Sequence, residues 1–183
     1  EEKGIKKKKY ELTLAYGGNI STSTGIYEFS NFLTQSNLNI QLLVAGSGSL
    51  EKSIYNISEH DQRFSLLSPW PKQYTNALYS LADILLLPVP PGQEHGSVPS
   101  KLINYMKAGK PILCICNSDS SITDALYDYA GSSLIMSWEE LNKITQDELQ
   151  KLCQETQAPS YNSPKRNEIP NNSLNLLLKE ILN

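Results

Sequence analysis

Short apolar runs alternate with amphipathic segments about six times along this chain, and this alternation constrains the fold more than any other feature. The run DILLLPV is almost free of polar residues, which is typical of a parallel strand buried on both faces. The segment TGIYEFSNFLTQ has Ile26, Phe29 and Leu33 at helical spacing, which indicates a helix with one apolar face. Strands and helices in strict alternation predict an α/β fold, namely a doubly wound parallel sheet.

Size and charge leave room for one such domain and give little sign of a charged partner. The chain has 183 residues, of which 39% are hydrophobic, and a formal net charge of −3. That balance gives no argument for nucleic acid as a partner. No apolar run approaches the length of a membrane span, and no signal peptide is evident. Because the chain begins at Glu1 rather than at methionine, we expect it to be a piece of a longer polypeptide.

The chain divides into three parts by composition. Residues 1–9, EEKGIKKKK, are charged and are predicted to be a linker or interdomain segment, with peripheral membrane contact as the alternative. Residues 10–156 form the predicted domain, and its last part, 138–156, is predicted to be helical. Residues 157–183 are predicted to be a Pro/Asn-rich connector followed by a helix that begins at the cap Ser173.

Two of the three cysteines, Cys114 and Cys116, are predicted to be core residues rather than a metal or redox pair. Cys114 and Cys116 alternate in the apolar run PILCICN and would share one face of a strand, whereas Cys153 is remote in sequence. No histidine or second cysteine pair completes a metal site near them, so we expect core residues and no metal. An odd number of cysteines without an export signal fits a reducing cytoplasm.

Glycines and small residues cluster where three of the predicted strands end. These ends are Gly17-Gly18-Asn19, Gly46-Ser47-Gly48 and the loop from Pro88 to Pro99. Ligands of open parallel sheets bind beyond the carboxyl ends of the strands, and helix N-termini there favour phosphate. Three such turns on one edge therefore predict a ligand site. The dinucleotide fingerprint fails because position 51 is Glu51 rather than glycine, and there is no P-loop sequence.

The segment GSVPSKLINYMKAGKP supplies one more helix on this edge. Its predicted apolar stripe consists of Leu102, Ile103 and Met106. Lys101 and Asn104 are expected on the other side of the helix. Lys101 lies at the N-terminal end, where the helix dipole disfavours a cation. A bound diphosphate, Glu94 or exposure to water would each compensate, and the residues alone leave these three explanations open.

Two blocks of sequence resemble the C-terminal half of glycosyltransferases with the GT-B fold. The first is Ala82-Asp83-Ile84-Leu85-Leu86-Leu87-Pro88, and the second is Pro99-Ser100-Lys101-Leu102-Ile103-Asn104-Tyr105-Met106-Lys107-Ala108-Gly109-Lys110-Pro111. The resemblance covers roughly residues 10–150 and is greatest to the "glycosyl transferases group 1" type, which includes bacterial enzymes of surface-polysaccharide synthesis.

The resemblance implies that this Rossmann-like domain is the donor half of a two-domain enzyme. The missing N-terminal domain of the same polypeptide would bind the acceptor, and the last helix would cross back to it. The implied reaction moves a hexose from a nucleoside diphosphate sugar to a saccharide or lipid-linked acceptor, without metal or cofactor and with retention of configuration. The implied location is the cytoplasm, with a peripheral position at the inner membrane face as an option, and the isolated domain would not turn over.

The resemblance also implies a set of site residues. The residues that would bind the nucleotide sugar are Gly17, Gly18, Asn19, Gly46, Ser47, Gly48, Ser68, Pro69, Trp70, Gly96, Ser97, Val98, Pro99, Ser100, Lys101 and Asn104. Lys101 and Glu94 are the candidates for catalytic roles. The diphosphate would lie at the start of the helix and the base near Ser68–Trp70.

The sequence departs from the family's pattern at three places. The family often has two glutamates eight positions apart, and here Gly96 and Asn104 occupy those positions. Basic residues often follow the first strand in the family, where this chain has STSTG. These departures favour one alternative, a non-catalytic module that binds a nucleotide sugar or serves in assembly. A second alternative is one half of a sugar-nucleotide 2-epimerase, which shares the fold and for which only Glu94 and His95 are available as acid/base groups.

Overall fold

The computed structural model describes residues 10–93, 99–117, 120–129 and 131–155. The predicted linker, connector and crossover helix at 1–9 and 157–183 lie outside these ranges. The strands are β1 (Leu12–Gly17), β2 (Ile40–Ala45), β3 (Phe64–Leu67), β4 (Ile84–Pro88), β5 (Ile112–Ile115) and β6 (Ser133–Met136). The helices are α1 (Ile26–Gln35), α2 (Glu51–His60), α3 (Thr75–Leu81), α4 (Ser100–Ala108), α5 (Ser121–Tyr127), α6 (Trp138–Leu141) and α7 (Gln146–Gln154).

The six strands form one parallel sheet in the order β3-β2-β1-β4-β5-β6. This order confirms the predicted doubly wound, Rossmann-like fold. The chain leaves β1 in one direction to build β2 and β3, and returns to the other side of β1 to build β4, β5 and β6. The order therefore reverses between β1 and β4, and in sheets of this kind the crevice at the reversal is where ligands bind.

Alternate residues of the strands pack in two separate cores, one on each face of the sheet. In β1, Leu14 and Tyr16 belong to the core covered by α1, α2, α6 and α7, whereas Ala15 belongs to the core covered by α3, α4 and α5. The predicted apolar face of α1, including Phe29, is fully buried in the first core. Burial on both faces explains why β4 is an unbroken apolar run.

Two predictions of helix limits are wrong in detail. Residues 138–156 are not one helix, because Ser137 and Thr145 each begin a helix of their own. Each accepts a hydrogen bond from the amide three residues on, and each is capped in return by a glutamate, Glu140 or Glu148. The pattern of PKQYTNALYSLA likewise predicts one helix that begins at Pro71, but the segment opens with a 3-10 turn, Lys72–Tyr74, and α3 starts only at Thr75.

The predicted apolar stripe of α4 is also wrong at one position. Ile103 is 49% exposed, and Tyr105, which the stripe omitted, is completely buried with Leu102. Leu102 and Tyr105 are three residues apart and so lie on the same side of the helix, towards the sheet. Ile103 is one residue further around the helix and points away from the core.

The prediction that Cys114 and Cys116 are core residues is confirmed. Cys114 and Cys116 are buried in the second core with their sulfurs 3.4 Å apart. Within the described ranges, no group of His, Cys, Asp and Glu side chains is arranged to hold a metal ion. In the same ranges, no helix combines the length and the apolar character that crossing a bilayer requires.

Two residues of the quoted sequence blocks hold the architecture together. Asp83 precedes β4, and its carboxylate accepts a hydrogen bond of 2.8 Å from the amide of Thr13 in β1. Lys110 donates from Nζ to the carbonyl of Ala82, at 2.8 Å, just beyond the end of α3. Both contacts lie away from the carboxyl edge of the sheet, so these residues explain the fold and not the site.

Replacing Asp83 tests the junction between β1 and β4. Asp83→Ala leaves the buried amide of Thr13 without its side-chain acceptor, which costs about 1–3 kcal/mol. We expect urea unfolding to show that loss, with the slope of the transition unchanged. Asp128→Ala removes an exposed carboxylate beyond α5 and is the matched control, expected to change the free energy of unfolding by under about 0.5 kcal/mol. Equal effects of the two substitutions would contradict this role of Asp83.

Candidate functional site

The turns that follow β1 and β2 pack directly on one another at the carboxyl edge. The amide of Gly18 donates to the carbonyl of Ala45, and the amide of Ile20 donates to that of Ser47, at 2.9 and 3.0 Å. A Cβ atom on Gly46 would lie 1.8 Å from the carbonyl oxygen of Gly18, and Gly46 has a φ of +150°. The second glycine turn therefore supports the first one through backbone contact.

Helix α4 fixes the end of β1 from the other core. The amide of Gly17 donates to the hydroxyl of Tyr105 at 3.2 Å. The Tyr105 ring is packed edge-on against Tyr79 of α3, with their centroids 5.3 Å apart. Burial raises the pKa of the Tyr105 hydroxyl well above its ordinary value, so it stays protonated at neutral pH. The first turn of α4 is thereby set next to the glycines that follow β1.

Lys101, in the first turn of α4, extends over the end of β1. Its Nζ atom lies 3.7 Å from the centroid of the Tyr16 ring. It also lies against Gly18, where a Cβ atom would be 3.1 Å from Nζ. Desolvation by burial lowers the pKa of Lys101 from its usual 10.5 to about 7.

This position weakens one of the three explanations for a lysine at the helix start. Lys101 is partly buried and desolvation lowers its pKa, so exposure to water compensates its charge only in part. Across the described ranges the one ion pair is that of Arg63 with Asp61, just before β3, and Lys101 has no such partner there. Glu94, the second explanation, lies outside the described residues. The described contacts agree with the third explanation, a bound anion.

The start of α4 adds further positive character. Pro99 is the N-cap residue and offers no side-chain hydrogen bond to the first turn. The amides of Ser100 and Lys101 therefore lack intrahelical acceptors, as is usual for first-turn amides. Helix N-termini of this kind bind anions through their amides and the positive end of the helix dipole. The Lys101 amine lies at the Gly18 turn, and these amides belong to the same first turn of α4 as Lys101.

The loop between β1 and α1 is rich in hydroxyl groups and neutral. The side-chain Nδ2 of Asn19 donates to Ser21 Oγ at 3.0 Å, and Ser21 Oγ lies 2.9 Å from Ser23 Oγ. The loop ends at Gly25, where a Cβ atom would be 3.0 Å from the carbonyl of Pro88 at the end of β4. The loop thus borders the crevice between β1 and β4 with neutral polar groups.

The end of β3 forms the other side of the edge. Ser68 donates from Oγ to Glu51 Oε1 at 2.6 Å, which joins the end of β3 to the start of α2. The Ser68–Pro69 peptide bond is cis. Trp70 then packs edge-on against Tyr74, with their centroids 6.2 Å apart. This places Ser68–Trp70 beside the Gly46 turn, since the Gly46 amide donates to Leu67.

The structure brings together some of the predicted site residues and separates one. Those joined by contacts at the edge are Gly17, Gly18, Asn19, Gly46, Ser47, Gly48 and Lys101. Ser68, Pro69 and Trp70 follow β3 beside the Gly46 turn, and Pro99 and Ser100 directly precede Lys101 at the start of α4. Asn104 is exposed on α4, and no described contact joins it to the turns. Glu94, Gly96, Ser97 and Val98 lie outside the described residues.

Three residues of this edge were missed by the sequence analysis: Tyr16, Glu51 and Tyr105. Tyr16 had a usable signal, because a tyrosine next to the last position of an apolar strand puts a hydroxyl at the carboxyl edge. Glu51 appeared only as the residue that breaks the dinucleotide fingerprint. Tyr105 gave no signal apart from the apolar spacing of α4.

Comparison with known proteins identifies the fold. No family model and no curated protein matches the sequence. Among solved structures, Anabaena HepE in complex with UDP-glucose superposes with a TM-score of 0.59 at 12% identity, covering 93% of this chain and 48% of that one. WaaG, a glycosyltransferase of lipopolysaccharide biosynthesis, gives 0.58 at 18%, covering 93% and 47%. The catalytic domain of cholesterol-α-glucosyltransferase from Helicobacter pylori gives 0.52 at 12%, covering 92% and 98%.

These similarities show one half of a GT-B fold, as the resemblance implied. At 12–18% identity they show the architecture of the sheet and helices and nothing further about this chain. The chain spans about half the length of HepE and WaaG.

The buried lysine predicts an unusual dependence of stability on pH. Because the pKa of Lys101 is about 7 when folded and 10.5 when unfolded, the unfolded chain binds more protons between these values. The contribution of Lys101 to the free energy of unfolding therefore rises with pH across that window. We expect Lys101→Met to be the more stable protein near pH 6.5, by on the order of 2 kcal/mol, to lose about half of that advantage by about pH 9 and to lose most of it by about pH 10.5.

The measurement is urea unfolding of both proteins at several pH values. Lys107→Met, which removes an exposed lysine from the last turn of the same helix, is the control and should differ from wild type by a constant amount. A constant difference for Lys101→Met as well would contradict the burial of its amine.

Proposed function

We propose that this chain is the donor-binding domain of a glycosyltransferase and that it holds the diphosphate of a nucleoside diphosphate sugar at the start of α4. The observation that carries the proposal is the position of Lys101. Its amine is desolvated on a neutral aromatic face beside Gly18, and no described carboxylate pairs with it. A diphosphate between the Gly18 turn and α4 would be the compensating charge.

The chemical role of this arrangement is to stabilise the leaving group. When the bond between the sugar and the diphosphate breaks, negative charge grows on the diphosphate oxygens. The Lys101 ammonium and the first-turn amides of α4 are already directed at that position, and a water-poor site strengthens their effect. In this proposal they provide the positive charge that the departing diphosphate needs, so no metal ion is invoked.

Protonation of Lys101 is coupled to this role. With a pKa of about 7, the free site holds its amine partly neutral at physiological pH. An adjacent diphosphate favours the charged form, so binding raises the pKa of the amine and takes up a proton. The site therefore gains its positive charge when the donor arrives, which limits the cost of holding a buried cation in the empty domain.

The remainder of the nucleotide sugar is assigned by the resemblance. We propose that the base lies near Ser68–Trp70, that Asn104 contacts the ribose, and that Gly96–Val98 continue the diphosphate site. Glu94 is kept as the second candidate for a catalytic role. The acceptor, a saccharide or lipid-linked sugar of bacterial surface-polysaccharide synthesis, would bind to an N-terminal domain, in the cytoplasm or at the inner membrane face.

One further function is favoured by a specific observation. The loop between β1 and α1 is neutral, and Asn104 is exposed where the resemblance expects a glutamate. Both features remove charge from the site and fit a domain that binds a nucleotide sugar without transferring it. This alternative shares the diphosphate site, and activity of the complete polypeptide distinguishes it from the enzyme.

Binding of nucleotides to the 183-residue chain tests the site itself. We expect calorimetric titration to show binding of UDP or GDP, and Lys101→Met to weaken it about ten- to hundredfold, because a hydrogen bond to a charged group contributes ~1.5–3 kcal/mol. Methionine preserves the length and packing of the lysine stem. Lys107→Met should bind like the wild type.

Two results would contradict the proposal. One is absence of binding by UDP, GDP, UDP-glucose and GDP-mannose to a folded chain. The other is binding that Lys101→Met leaves unchanged, since the diphosphate would then lie elsewhere.

A further inference from the structure

Tyr16 carries a hydroxyl group at a buried strand position that an apolar side chain could fill. It is fully buried in the first core among leucines, isoleucines and phenylalanines. A buried hydroxyl needs a hydrogen-bond partner, and Tyr16 donates its proton to the backbone carbonyl of Asn19 at 2.5 Å. Burial raises the pKa of Tyr16 to about 12, so the hydroxyl remains a donor at physiological pH.

This hydrogen bond fixes the turn after β1. Gly18 has a φ of +147°, and the turn there has no side chain of its own to hold it until Asn19. The Tyr16 hydroxyl reaches from inside the strand to the carbonyl at the far end of the turn. A phenylalanine in its place would fill the core equally well but would leave the turn unanchored on that side.

The ring of Tyr16 contacts the second part of the site. Lys101 begins in α4, which covers the opposite core, and its side chain crosses the end of β1 beside Gly18. Its Nζ atom then rests 3.7 Å from the centroid of the Tyr16 ring. A Cβ atom on Gly18 would be 3.2 Å from Lys101 Cε, so a larger residue there would displace the lysine side chain by a few tenths of an ångström.

A tyrosine ring is a suitable support for a cation that must serve an anion. The face of the ring attracts an ammonium group through its quadrupole and carries no net charge. A carboxylate in this place would hold the lysine more tightly, but it would also neutralise it and repel a phosphate. Tyr16 therefore locates the amine and leaves its charge available.

We propose that Tyr16 is a positioning residue of the donor site, whose ring places the Lys101 amine and whose hydroxyl places the Gly18–Asn19 turn. One side chain in the strand thus aligns the two elements that would contact the diphosphate. This inference rests on the function proposed above and adds the residue on which the geometry of that site depends.

A double-mutant cycle tests the ring contact. The probes are UDP and GDP, titrated into the wild type, Lys101→Met, Tyr16→Leu and the double variant. In the wild type, Lys101→Met should weaken binding about tenfold or more, whereas in the Tyr16→Leu background it should weaken binding only about twofold. A tyrosine that only fills the core would lower stability and leave the effect of Lys101→Met undiminished.

Tyr16→Phe separates the ring from the hydroxyl and guards against a variant that fails to fold. It keeps the aromatic face, so the full effect of Lys101→Met should persist in that background. Binding itself should weaken about three- to tenfold through the freed turn, since the turn loses one hydrogen bond. Tyr129→Phe removes a hydroxyl that donates to the carbonyl of Lys110 at 3.2 Å, away from the carboxyl edge, and should leave binding unchanged.

The outcomes separate the two proposals. Binding that depends on Lys101 to the same degree with Tyr, Phe or Leu at position 16 keeps the proposed function and overturns the role of Tyr16. Absence of UDP and GDP binding, or binding indifferent to Lys101, overturns the proposed function and the positioning role together. Binding that depends on Lys101 when position 16 is Tyr or Phe, but hardly depends on it when position 16 is Leu, supports both proposals.

Discussion

A lysine amine placed on the face of a tyrosine ring and largely removed from water has an energetic cost that something must offset. Burial lowers the pKa of Lys101 to about 7, which shows that the folded chain alone stabilises the ammonium poorly. The cation–π contact with Tyr16 repays part of this cost. The remaining demand for negative charge is the physical basis for the diphosphate site that we propose between β1 and α4.

The rest of the edge is built to bring that amine to its place. The order of strands reverses at β1, so that the helices on both sides of this strand approach its end. Tyr105 holds the Gly17 amide from α4, and the Gly46 turn supports the Gly18 turn by backbone contact. Neither of these two contacts involves a charged group, so neither places a carboxylate beside the amine.

The fold followed from the sequence because its signals are local and repeated. Each apolar run became a strand, and alternate residues of those runs fill the two cores. The helix limits failed where a short capping signal decides them, as at Ser137 and Thr145 within a continuous polar stretch. The prediction that Ile103 lies on the buried face of α4 was wrong because a nine-residue helix has too few turns for periodicity alone to define that face.

The candidate site was only partly accessible to sequence reasoning. Glycine turns and the start of α4 could be predicted, since both depend on residues adjacent in the chain. The contact of Lys101 with Tyr16 depends on residues from different elements, so the position of Tyr16 near the strand end could suggest a hydroxyl at the edge but not the lysine that packs on its ring. The bond from Ser68 to Glu51 is hidden for the same reason, because β3 and α2 meet there only through the fold.

The most direct test of this account is to observe the backbone amides by NMR while UDP or GDP is added to the chain. The account predicts that the largest shifts fall on Gly18, Asn19, Ser100 and Lys101, where the first turn meets α4. Shifts centred instead on the open groove between α1 and α2, which is lined by Tyr27, Asn56, Ile57 and His60, would contradict it. So would an unchanged spectrum of the folded protein.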